Sequence, residues 1–533
     1  APLARGHAYA ATVDGYDWNN DTGEMRSAAD ANVKASNHSY GTIAGWHEMF
    51  NPFVGDVVWV WYGDPAVSPV EDYKFGFYGD WAREFDRAMY DKPGLLAVNA
   101  AGNDRDSDGP APGEASYLVT DLLTPVTTPR NPNGNGTGYD TIPDPATAKN
   151  SLTVGAVLGI SGGYPGAASV VMSSFSNWGP TDDGRIKPDV VAKGVNVYST
   201  AAFDFFMNPF EELYAYSSGT SMAAPAVTGA LGLLIEHYRS SQPGAVDLRG
   251  ASLKALVIHT ADECGSTPGP DYVHGWGLMN TARAAEVISL DAQMPLTISE
   301  HTLTRVEGED AVATVDLFAS TPRIDPNTGE TMPLKVTLAW TDPPGPRFAP
   351  ALNARDRALV HDLDLRLISV RTGQVYQPWV LDVNNPGAAA TRGDNLVDNV
   401  EQVIVDAPGS DAYIIRVTHK GELTEAGGRK QDFSLVVTGA TAVGSSLAPL
   451  VTPQVVSITE GSTGSFTVQL VAPPAEPPLE LTVQKVSGKA TISLLSAGTL
   501  TFDAVNWSVP QTVLIGAADD ADACDDTALF RVS

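Results

Sequence analysis

Short apolar runs alternate with stretches of helical periodicity through residues 1 to about 292. The apolar runs carry few charges, as the buried strands of parallel sheets usually do. The stretches between them have the length and apolar spacing that are typical of helices packed on a sheet. Strands alternating with helices predict an α/β domain with a mainly parallel sheet. The predicted strands are 33–36, 95–100 and 152–157, and the clearest predicted helices are 80–89 and 224–235.

After about Gln293 the helical periodicity fades, and apolar residues alternate with polar ones. Such alternation, with turn residues between the runs, predicts strands that bury one face. Residues 334–340 and 412–418 are the clearest runs of a jelly-roll β-sandwich, and residues 464–470 and 511–517 belong to a second all-β unit. The sequence therefore predicts three domains, which cover residues 1–292, 293–440 and 445–533.

Composition and charge make several classes of function and partner unexpected for this chain. The chain has 533 residues with 33 basic and 63 acidic side chains, a formal net charge of −30. A field of that sign repels phosphate backbones and anionic lipids, so neither nucleic acid nor a membrane surface is an expected partner. No apolar run reaches the roughly 18 residues that a membrane span needs. Two cysteines, Cys264 and Cys524, cannot form a disulfide framework, and we expect both to be free thiols.

The segment Gly219-Thr-Ser-Met-Ala-Ala-Pro225 contains the strongest candidate for chemistry. Small residues place Ser221 on the first turn of an apolar helix, whose N-terminus offers free backbone N–H groups and a positive end. Pro225 is tolerated there because first-turn N–H groups have no helical partner. Both features suit a nucleophile beside a developing oxyanion. Taken alone, the segment equally fits a serine at the start of an ordinary core helix.

Two further segments give the serine a context. Ala100-Ala-Gly-Asn103 and Asn37-His-Ser39-Tyr-Gly41 each end a predicted strand, and each alone would be read as an ordinary turn. In this order the three motifs resemble the subtilase family of secreted bacterial serine proteases. The resemblance implies a subtilisin-like α/β domain followed by two all-β sandwiches, and an extracellular monomer that acts on proteins and peptides. Attachment to the cell surface is left open.

The resemblance also implies roles for individual residues. Ser221 corresponds to the nucleophile, and the side chain of Asn103 to the donor that binds the oxyanion. Substrate-binding positions would be Ser39, Tyr40, Gly41, Gly219 and Thr220. Residues 105–140, rich in Pro, Gly, Asn and Asp, lengthen the interval between the two motifs and predict an inserted surface loop.

A serine nucleophile needs a base and a carboxylate that orients the base. In subtilases both precede the substrate-binding strand, but the 38 residues before Ser39 contain no such histidine motif. Residues 10–18 resemble the strand that follows the family's histidine helix. A rival assignment, with an acid motif at Asp14 and a histidine motif that starts at His38, fits poorly, because a tyrosine stands where the histidine should align and the glycine spacing is one residue short. We therefore expect a fragment of an endopeptidase that is inert by itself. A pseudoprotease or a surface adhesion protein is the alternative.

The two C-terminal units carry further resemblances. Segments around Asp362, Asp364 and Asp398 resemble the β-sandwich appended to alkaline subtilases and kexin-like proteases, known as the P-domain. Carboxylates that alternate on one strand face are costly unless they are solvated or bind a cation, so we expect structural calcium there and no cofactor for the chemistry. Residues 445–533 resemble a truncated Calx-β-like module, a type of spacer or adhesive unit.

Overall fold

The computed structural model describes residues 4–201, 214–305, 313–325, 328–409, 411–424, 429–444, 449–453, 455–470, 474, 477–503, 505–519 and 527–532. Cys524 lies outside the described residues, whereas Cys264 is a buried free thiol. None of the helices within these ranges combines the length and apolarity that crossing a bilayer requires.

Five helices and ten strands form the described residues of the N-terminal part. The helices are α1 (Asp21–Asp30), α2 (Asp80–Asp91), α3 (Thr220–Ser241), α4 (Gly250–Thr260) and α5 (Thr281–Asp291). The strands are β1 (Ala35–His38), β2 (Trp46–Asn51), β3 (Asp56–Trp61), β4 (Leu96–Ala100), β5 (Ser116–Leu118), β6 (Asp121–Val126), β7 (Leu152–Val157), β8 (Val190–Lys193), β9 (Val197–Thr200) and β10 (Tyr214–Ser217). Short 3₁₀ turns lie at Asn133–Gly136 and Ala167–Ser169.

A parallel sheet with the order β1-β4-β7-β8 forms the centre of this part. Both β4 and β7 are buried along their whole length, which explains their nearly continuous apolar sequences. Helix α3 packs across all four strands. The predicted α/β class is therefore confirmed. The strand predicted at residues 10–18 is wrong, because this segment has no sheet neighbour among the described residues and all of residues 11–18 are exposed.

The insertion at residues 105–140 is more ordered than a surface loop. It contributes β5 and β6 to a four-stranded sheet with the order β2-β3-β5-β6. The other two strands form a hairpin that begins five residues after Gly41. Because β3 pairs with β5 across more than fifty intervening positions, local turn composition did not indicate this pairing.

The described residues after α5 form antiparallel sheets. The strands are β11 (Ile298–Thr304), β12 (Val315–Thr321), β13 (Leu334–Ala339), β14 (Asp362–Ser369), β15 (Val375–Tyr376), β16 (Trp379–Val380), β17 (Thr391–Arg392), β18 (Val400–Val405), β19 (Asp411–Lys420), β20 (Lys430–Thr438), β21 (Ala442–Gly444), β22 (Leu450–Thr452), β23 (Thr463–Gln469), β24 (Leu479–Gly488), β25 (Ile492–Leu494), β26 (Thr499–Phe502), β27 (Gln511–Ala517) and β28 (Ala528–Val532). Sheets β11-β20-β13-β18 and β15-β14-β19-β12-β21 belong to the first all-β region, and β22-β23-β27-β25 and β26-β24-β28 to the second. The three domain boundaries stay predictions.

Helix α4 joins the α/β part to the first all-β region. All eleven of its residues are buried, because α5 covers one side and strands β13 and β20 cover another. Its polar side chains all find partners. Lys254 Nζ donates to Lys149 O at 2.7 Å, and His259 bonds to Thr337 and Thr438, both at 2.9 Å. The contact between the two regions is thus continuous with the interior of the protein.

A buried ion pair crosses the same contact. Lys149 Nζ bonds to the carboxylate of Asp342, and both side chains are fully buried. The ammonium also donates to the carbonyl oxygens of Pro343 and Ala358, each at 2.7 Å. All three donors of Lys149 are therefore used, as a buried charge requires.

We predict that Asp342→Ala destabilises the chain by about 3–5 kcal/mol, because it leaves the Lys149 ammonium buried without its counter-charge. The measurement is urea unfolding followed by tryptophan fluorescence. The matched control is Asp316→Ala, which removes an Arg416 partner that is 29% exposed and should cost less than about 1 kcal/mol. Equal losses in the two variants would show that Lys149–Asp342 contributes nothing specific.

Candidate active site

The candidate residues lie where two parallel strands end beside the start of a helix. Strand β1 pairs with β4 so that His38 lies opposite Asn99. Ser39 and Asn103 follow these strands and thus emerge at the same edge of the sheet. Helix α3 begins there with Gly219 as its N-cap, and the Gly219 N–H donates to Gly194 O at 2.8 Å.

Ser221 contacts the segment after β1 through two reciprocal hydrogen bonds. Its Oγ donates to Ser39 O at 3.3 Å, and Ser39 Oγ donates to Ser221 O at 3.0 Å. Ser221 is half-buried and Gly41 is exposed. The end of this segment is held by Thr42 N, which donates to Asp144 O at 2.7 Å. The serine hydroxyl therefore lies against a segment that is anchored by a backbone hydrogen bond.

Two donors from Thr220 orient the side chain of Asn103. Its Oδ1 accepts from Thr220 N at 2.8 Å and from Thr220 Oγ1 at 3.0 Å, which assigns the orientation of the amide. Thr220 Oγ1 in turn accepts from Gly102 N at 3.1 Å. Asn103 is exposed, and its Nδ2 has no hydrogen-bond partner among the described residues. The amide N–H groups are therefore available as donors.

The donors of Asn103 and Ser221 border one small space. A Cβ built on Gly219 would stand 3.6 Å from Asn103 Oδ1, 3.6 Å from Ser221 N and 3.7 Å from Asn103 Nδ2, without a clash. A backbone N–H at a helix N-terminus and an amide N–H thus approach the same point beside the serine. Two fixed donors around one point are the arrangement that stabilises an oxyanion.

Tyr40 differs from the other predicted substrate-binding residues in the direction of its side chain. Its ring stacks on Trp81 at a centroid distance of 5.8 Å, and its hydroxyl contacts Asp21 at 3.3 Å. Burial, followed by the charge of Asp21, raises the pKa of Tyr40. Ser39, Gly219 and Thr220 surround Ser221, but the Tyr40 side chain packs towards α1 and α2.

All nine histidines of the chain lie within the described residues, and none of them forms a hydrogen bond with Ser221. His38 bonds through Nδ1 to Tyr40 at 2.7 Å and through Nε2 to Ser36 at 2.8 Å, and burial lowers its pKa to about 4. Both ring nitrogens are engaged, and neither contacts Asp14. The pairing of Asp14 with His38 is therefore not formed.

One histidine–carboxylate pair beside Asn103 was missed by the sequence analysis. His47 Nε2 lies 3.5 Å from Asp104 Oδ1 and 2.9 Å from Ala44 O. Asn133 joins the same place, since its Nδ2 donates to Asp104 O at 2.8 Å and its Oδ1 accepts from Trp46 N at 3.0 Å. These bonds fasten the base of hairpin β2–β3 to the residue after Asn103. A histidine in an alternating strand is the only sequence signal of this pair.

The three carboxylates predicted to bind calcium are divided between two places. Asp364 Oδ1 contacts Lys420 Nζ at 2.5 Å and Arg366 at 2.9 Å, and Asp362 lies 3.7 Å from the same ammonium. Asp398 lies elsewhere, where its Oδ1 accepts from Ile186 N at 2.8 Å. Within the described ranges no three His, Cys, Asp or Glu side chains form a group suited to a metal. Calcium at these residues stays a prediction.

Comparisons with known proteins agree with the geometry. The sequence profile of the subtilase family matches residues 5–277. The chain is similar to the C5a peptidase of Streptococcus pyogenes, with 43% identity over 94 residues that cover 18% of this chain and 7% of the relative. It is similar to pyrolysin of Pyrococcus furiosus, with 26% identity over 325 residues that cover 55% of this chain and 22% of the relative.

Among solved structures, the chain is similar to a lanthipeptide protease with 17% sequence identity and a TM-score of 0.31. The match covers 51% of this chain and 67% of the lanthipeptide protease. The chain spans less than a quarter of the length of the C5a peptidase and of pyrolysin.

We predict that Thr220→Val destabilises the chain by about 1–3 kcal/mol, because the Gly102 N–H and the Asn103 carbonyl each lose a partner. Thermal unfolding of the chain measures the loss. Thr228→Val on the same helix is the matched control, since that half-buried hydroxyl bonds to Asn37 and Ala224 O and should cost less. A Thr220→Val variant as stable as the control would contradict the proposed orientation of Asn103.

Proposed function

The chain belongs to the subtilase family, and on this premise we propose that it carries the nucleophile, the oxyanion donors and the substrate groove of a serine endopeptidase. Ser221 is the nucleophile, and Asn103 Nδ2 and Ser221 N bind the oxyanion. One observation carries the proposal: Ser221 N and the side-chain amide of Asn103 border the same space at the bare Cα of Gly219, two residues before the serine. A serine that merely starts a core helix has no need of an amide donor from another strand.

The chemistry follows from this arrangement. Ser221 Oγ attacks the carbonyl carbon of a peptide bond, and the carbonyl oxygen gains the negative charge that the two donors stabilise. Collapse of the intermediate releases the amine and leaves an acyl-enzyme, which water then hydrolyses. An extended substrate would pair with the backbone of residues 39–41, of which Gly41 is exposed, and add a strand at this edge. Thr220 acts through Asn103 and is a positioning residue.

The base is the part of the proposal that this chain does not supply. Ser221 Oγ has its hydrogen bond with Ser39 O, and no histidine among the described residues bonds to it. We propose that the proton acceptor and its carboxylate are not among the residues of this chain. Loss of the histidine from such a triad costs about 10⁶ in turnover, so the chain alone should be almost inactive. A secreted bacterial location and a monomeric state remain predictions.

The lack of a base bonded to Ser221 among the described residues favours a second candidate function. If no base is ever provided, the groove beside Ser39–Gly41 could still hold an extended peptide without cleaving it. The chain would then be a pseudoprotease that binds polypeptide, and the C-terminal β regions would add adhesive surface. The two candidates share the groove and differ in whether a bound peptide is cut.

We predict that the 533-residue chain hydrolyses casein at a rate close to the background and that a serine-directed inhibitor changes nothing. The measurement is release of labelled peptide, with Ser221→Ala as the reference. Strong cleavage that disappears in Ser221→Ala would mean that a base exists within these residues, and the proposed absence would be wrong. If the chain binds unfolded casein without cleaving it, the result would support an intact substrate groove.

We also predict the effect of Asn103→Ala once a family segment carrying the acid and the base is fused upstream. The loss of one oxyanion donor should lower kcat roughly 10²–10³-fold with little change in KM, because the donor acts in the transition state. Ser174→Ala, which removes an exposed hydroxyl bonded to Asp106, is the control and should leave kcat unchanged. If kcat is also unchanged in Asn103→Ala, the oxyanion role is wrong. If the fusion binds casein but never cleaves it, the pseudoprotease is favoured.

A further inference from the structure

The sheet β2-β3-β5-β6 carries an exposed apolar turn at the end of its first hairpin. Strands β2 and β3 pair so that Phe50 lies directly opposite Val57. Phe50 is 60% exposed and Val57 is 58% exposed. The turn between the two strands adds Phe53, which is 65% exposed, and Val54, which is 49% exposed. These four residues, which we call the apolar tip, form a cluster, whereas apolar residues on a protein surface are normally scattered singly.

The sheet beneath the apolar tip holds the turn in a defined conformation. Asn51 is fully buried, and its Nδ2 donates to Leu122 O at 2.7 Å, which bonds the turn to β6. Its Oδ1 accepts from Phe53 N at 3.0 Å. The backbone oxygen of Asn51 accepts from Val54 N at 3.2 Å and from Gly55 N at 2.8 Å. The apolar side chains are therefore exposed on a turn that hydrogen bonds fix from both sides.

The two segments that build this sheet carry negative charge alone. Residues 42–73 contain five Asp or Glu side chains and residues 106–129 contain four, whereas neither range contains a lysine or an arginine. Within the described residues, Asp72 pairs with Lys74, and the other carboxylates of these ranges form no ion pair. A surface with one sign of charge attracts partners of the opposite sign. The charge of this sheet therefore favours a basic partner.

Three of these carboxylates lie beside the apolar tip, and all three are exposed. Glu48 is two positions before Phe50 on β2 and so shares its face of the sheet. Asp56 directly precedes Val57. Asp121 directly precedes the β6 residue that bonds to the turn. A partner bound to the apolar tip would therefore meet carboxylates that are free to pair with its cations.

The other end of the hairpin is attached to the candidate groove. Strand β2 begins five residues after Gly41, and the contact of His47 with Asp104 fastens it to the residue after Asn103. At about 3.4 Å per residue, β2 places the tip about 17 Å from this attachment. An extended substrate covers the same distance with about five residues. A polypeptide that lies in the groove can therefore reach the apolar tip.

We propose that the apolar tip and its three carboxylates form a docking surface for polypeptide substrates, a role that rests on the peptidase function proposed above. The surface recognises a substrate segment in which apolar residues stand next to lysine or arginine. This segment lies about five residues or more from the bond that is cleaved. Apolar contacts hold the segment, and the carboxylates select basic segments over acidic ones.

Two other occupants would use the same apolar side chains. A lipid bilayer would accept the phenylalanine and valine side chains, but the neighbouring carboxylates and the net charge of −30 repel anionic headgroups. A second copy of the chain would bring identical acidic surfaces together across a twofold axis. Both are disfavoured by charge, whereas a basic polypeptide is favoured by it.

The first experiment measures the binding of labelled peptides to the 533-residue chain by fluorescence anisotropy. Three peptides of equal length are compared: leucine alternating with lysine, leucine alternating with glutamate, and serine alternating with lysine. The leucine–lysine peptide should bind at least about tenfold more tightly than the other two, because it alone satisfies both the apolar and the acidic contacts. Its binding should weaken in about 0.5 M sodium chloride, which screens exposed charges.

Two variants separate the apolar contribution from the charge. Phe53→Ser/Val54→Ser shortens the apolar tip without altering a strand. A triple variant neutralises the carboxylates and keeps the oxygen atoms that accept backbone hydrogen bonds: Glu48→Gln/Asp56→Asn/Asp121→Asn. Each variant should bind the leucine–lysine peptide at least about tenfold more weakly than the wild type. Equal Tm values would show that the variants fold as the wild type does.

Matched controls make the same kinds of substitution elsewhere on the surface. Val246→Ser/Val505→Ser removes two valines that are 87% and 86% exposed. Three exposed glutamates are neutralised in Glu236→Gln/Glu286→Gln/Glu480→Gln. Both controls should bind the peptide as the wild type does. The proposal is overturned if the controls lose as much affinity as the tip variants, if either tip variant binds normally, or if the leucine–glutamate peptide binds equally well.

The other occupants have readouts of their own. Sedimentation of the chain with phosphatidylcholine vesicles that is lost in Phe53→Ser/Val54→Ser would overturn the proposal in favour of a lipid surface. A dimer detected by light scattering that is lost in the same variant would overturn it in favour of a second copy. We expect neither vesicle binding nor a dimer that depends on the tip.

Failure of the docking surface can be told apart from failure of the peptidase function. In the chain fused to an upstream family segment, Phe53→Ser/Val54→Ser should raise KM about tenfold for a substrate that carries the leucine–lysine segment and leave kcat unchanged. Ser221→Ala should abolish cleavage and keep peptide binding. Cleavage with an unchanged KM in the tip variant would reject the docking surface alone. A fusion that binds the peptide through the tip but never cleaves it would reject the peptidase alone.

Discussion

The parallel pairing of β1 with β4 under the N-terminus of α3 is the constraint on which the candidate active site depends. Parallel strands deliver their carboxyl ends to the same edge of a sheet, so the residues after His38 and Ala100 must emerge side by side. Helix α3 lies across both strands and begins at this edge. The serine, its backbone N–H and the amide of Asn103 therefore meet without any local sequence contact between their segments.

Helix α4 connects the α/β part to the first all-β region. A helix buried on every side must satisfy its polar groups inside the protein, and Lys254, His259 and Ser252 do so with partners from both regions. The first all-β region thus completes the interior of the α/β part. Ala339, Val400 and Val436 of the sheet β11-β20-β13-β18 belong to the hydrophobic core of the α/β part, whereas the two all-β regions also have cores of their own.

Charge is treated differently in the two acidic clusters of this very acidic protein. At Asp362 and Asp364, lysine and arginine side chains reach the carboxylates and supply the positive charge directly. At Asp140 and Asp182, the nearest guanidinium serves a backbone oxygen and leaves the carboxylates bare. The proximity of a cation is therefore a poor guide to whether a carboxylate is satisfied, and the individual bonds have to be followed.

Periodicity and short motifs determined a great deal by themselves. Strands β4, β7, β13 and β27 and helix α2 were predicted to within two residues at each end, and helix α3 extends beyond the predicted residues 224–235 at both ends, because each forms from a local pattern of apolar spacing. Motif resemblance located Ser221 and Asn103 as candidates. Only the tertiary structure decided that Tyr40 turns its ring towards Trp81, that residues 10–18 form no strand, and that Asp140 and Asp182 meet at Gly76. The physical reason is that these features depend on contacts between segments that are distant in sequence. Local sequence patterns do not specify which distant residues will be in contact.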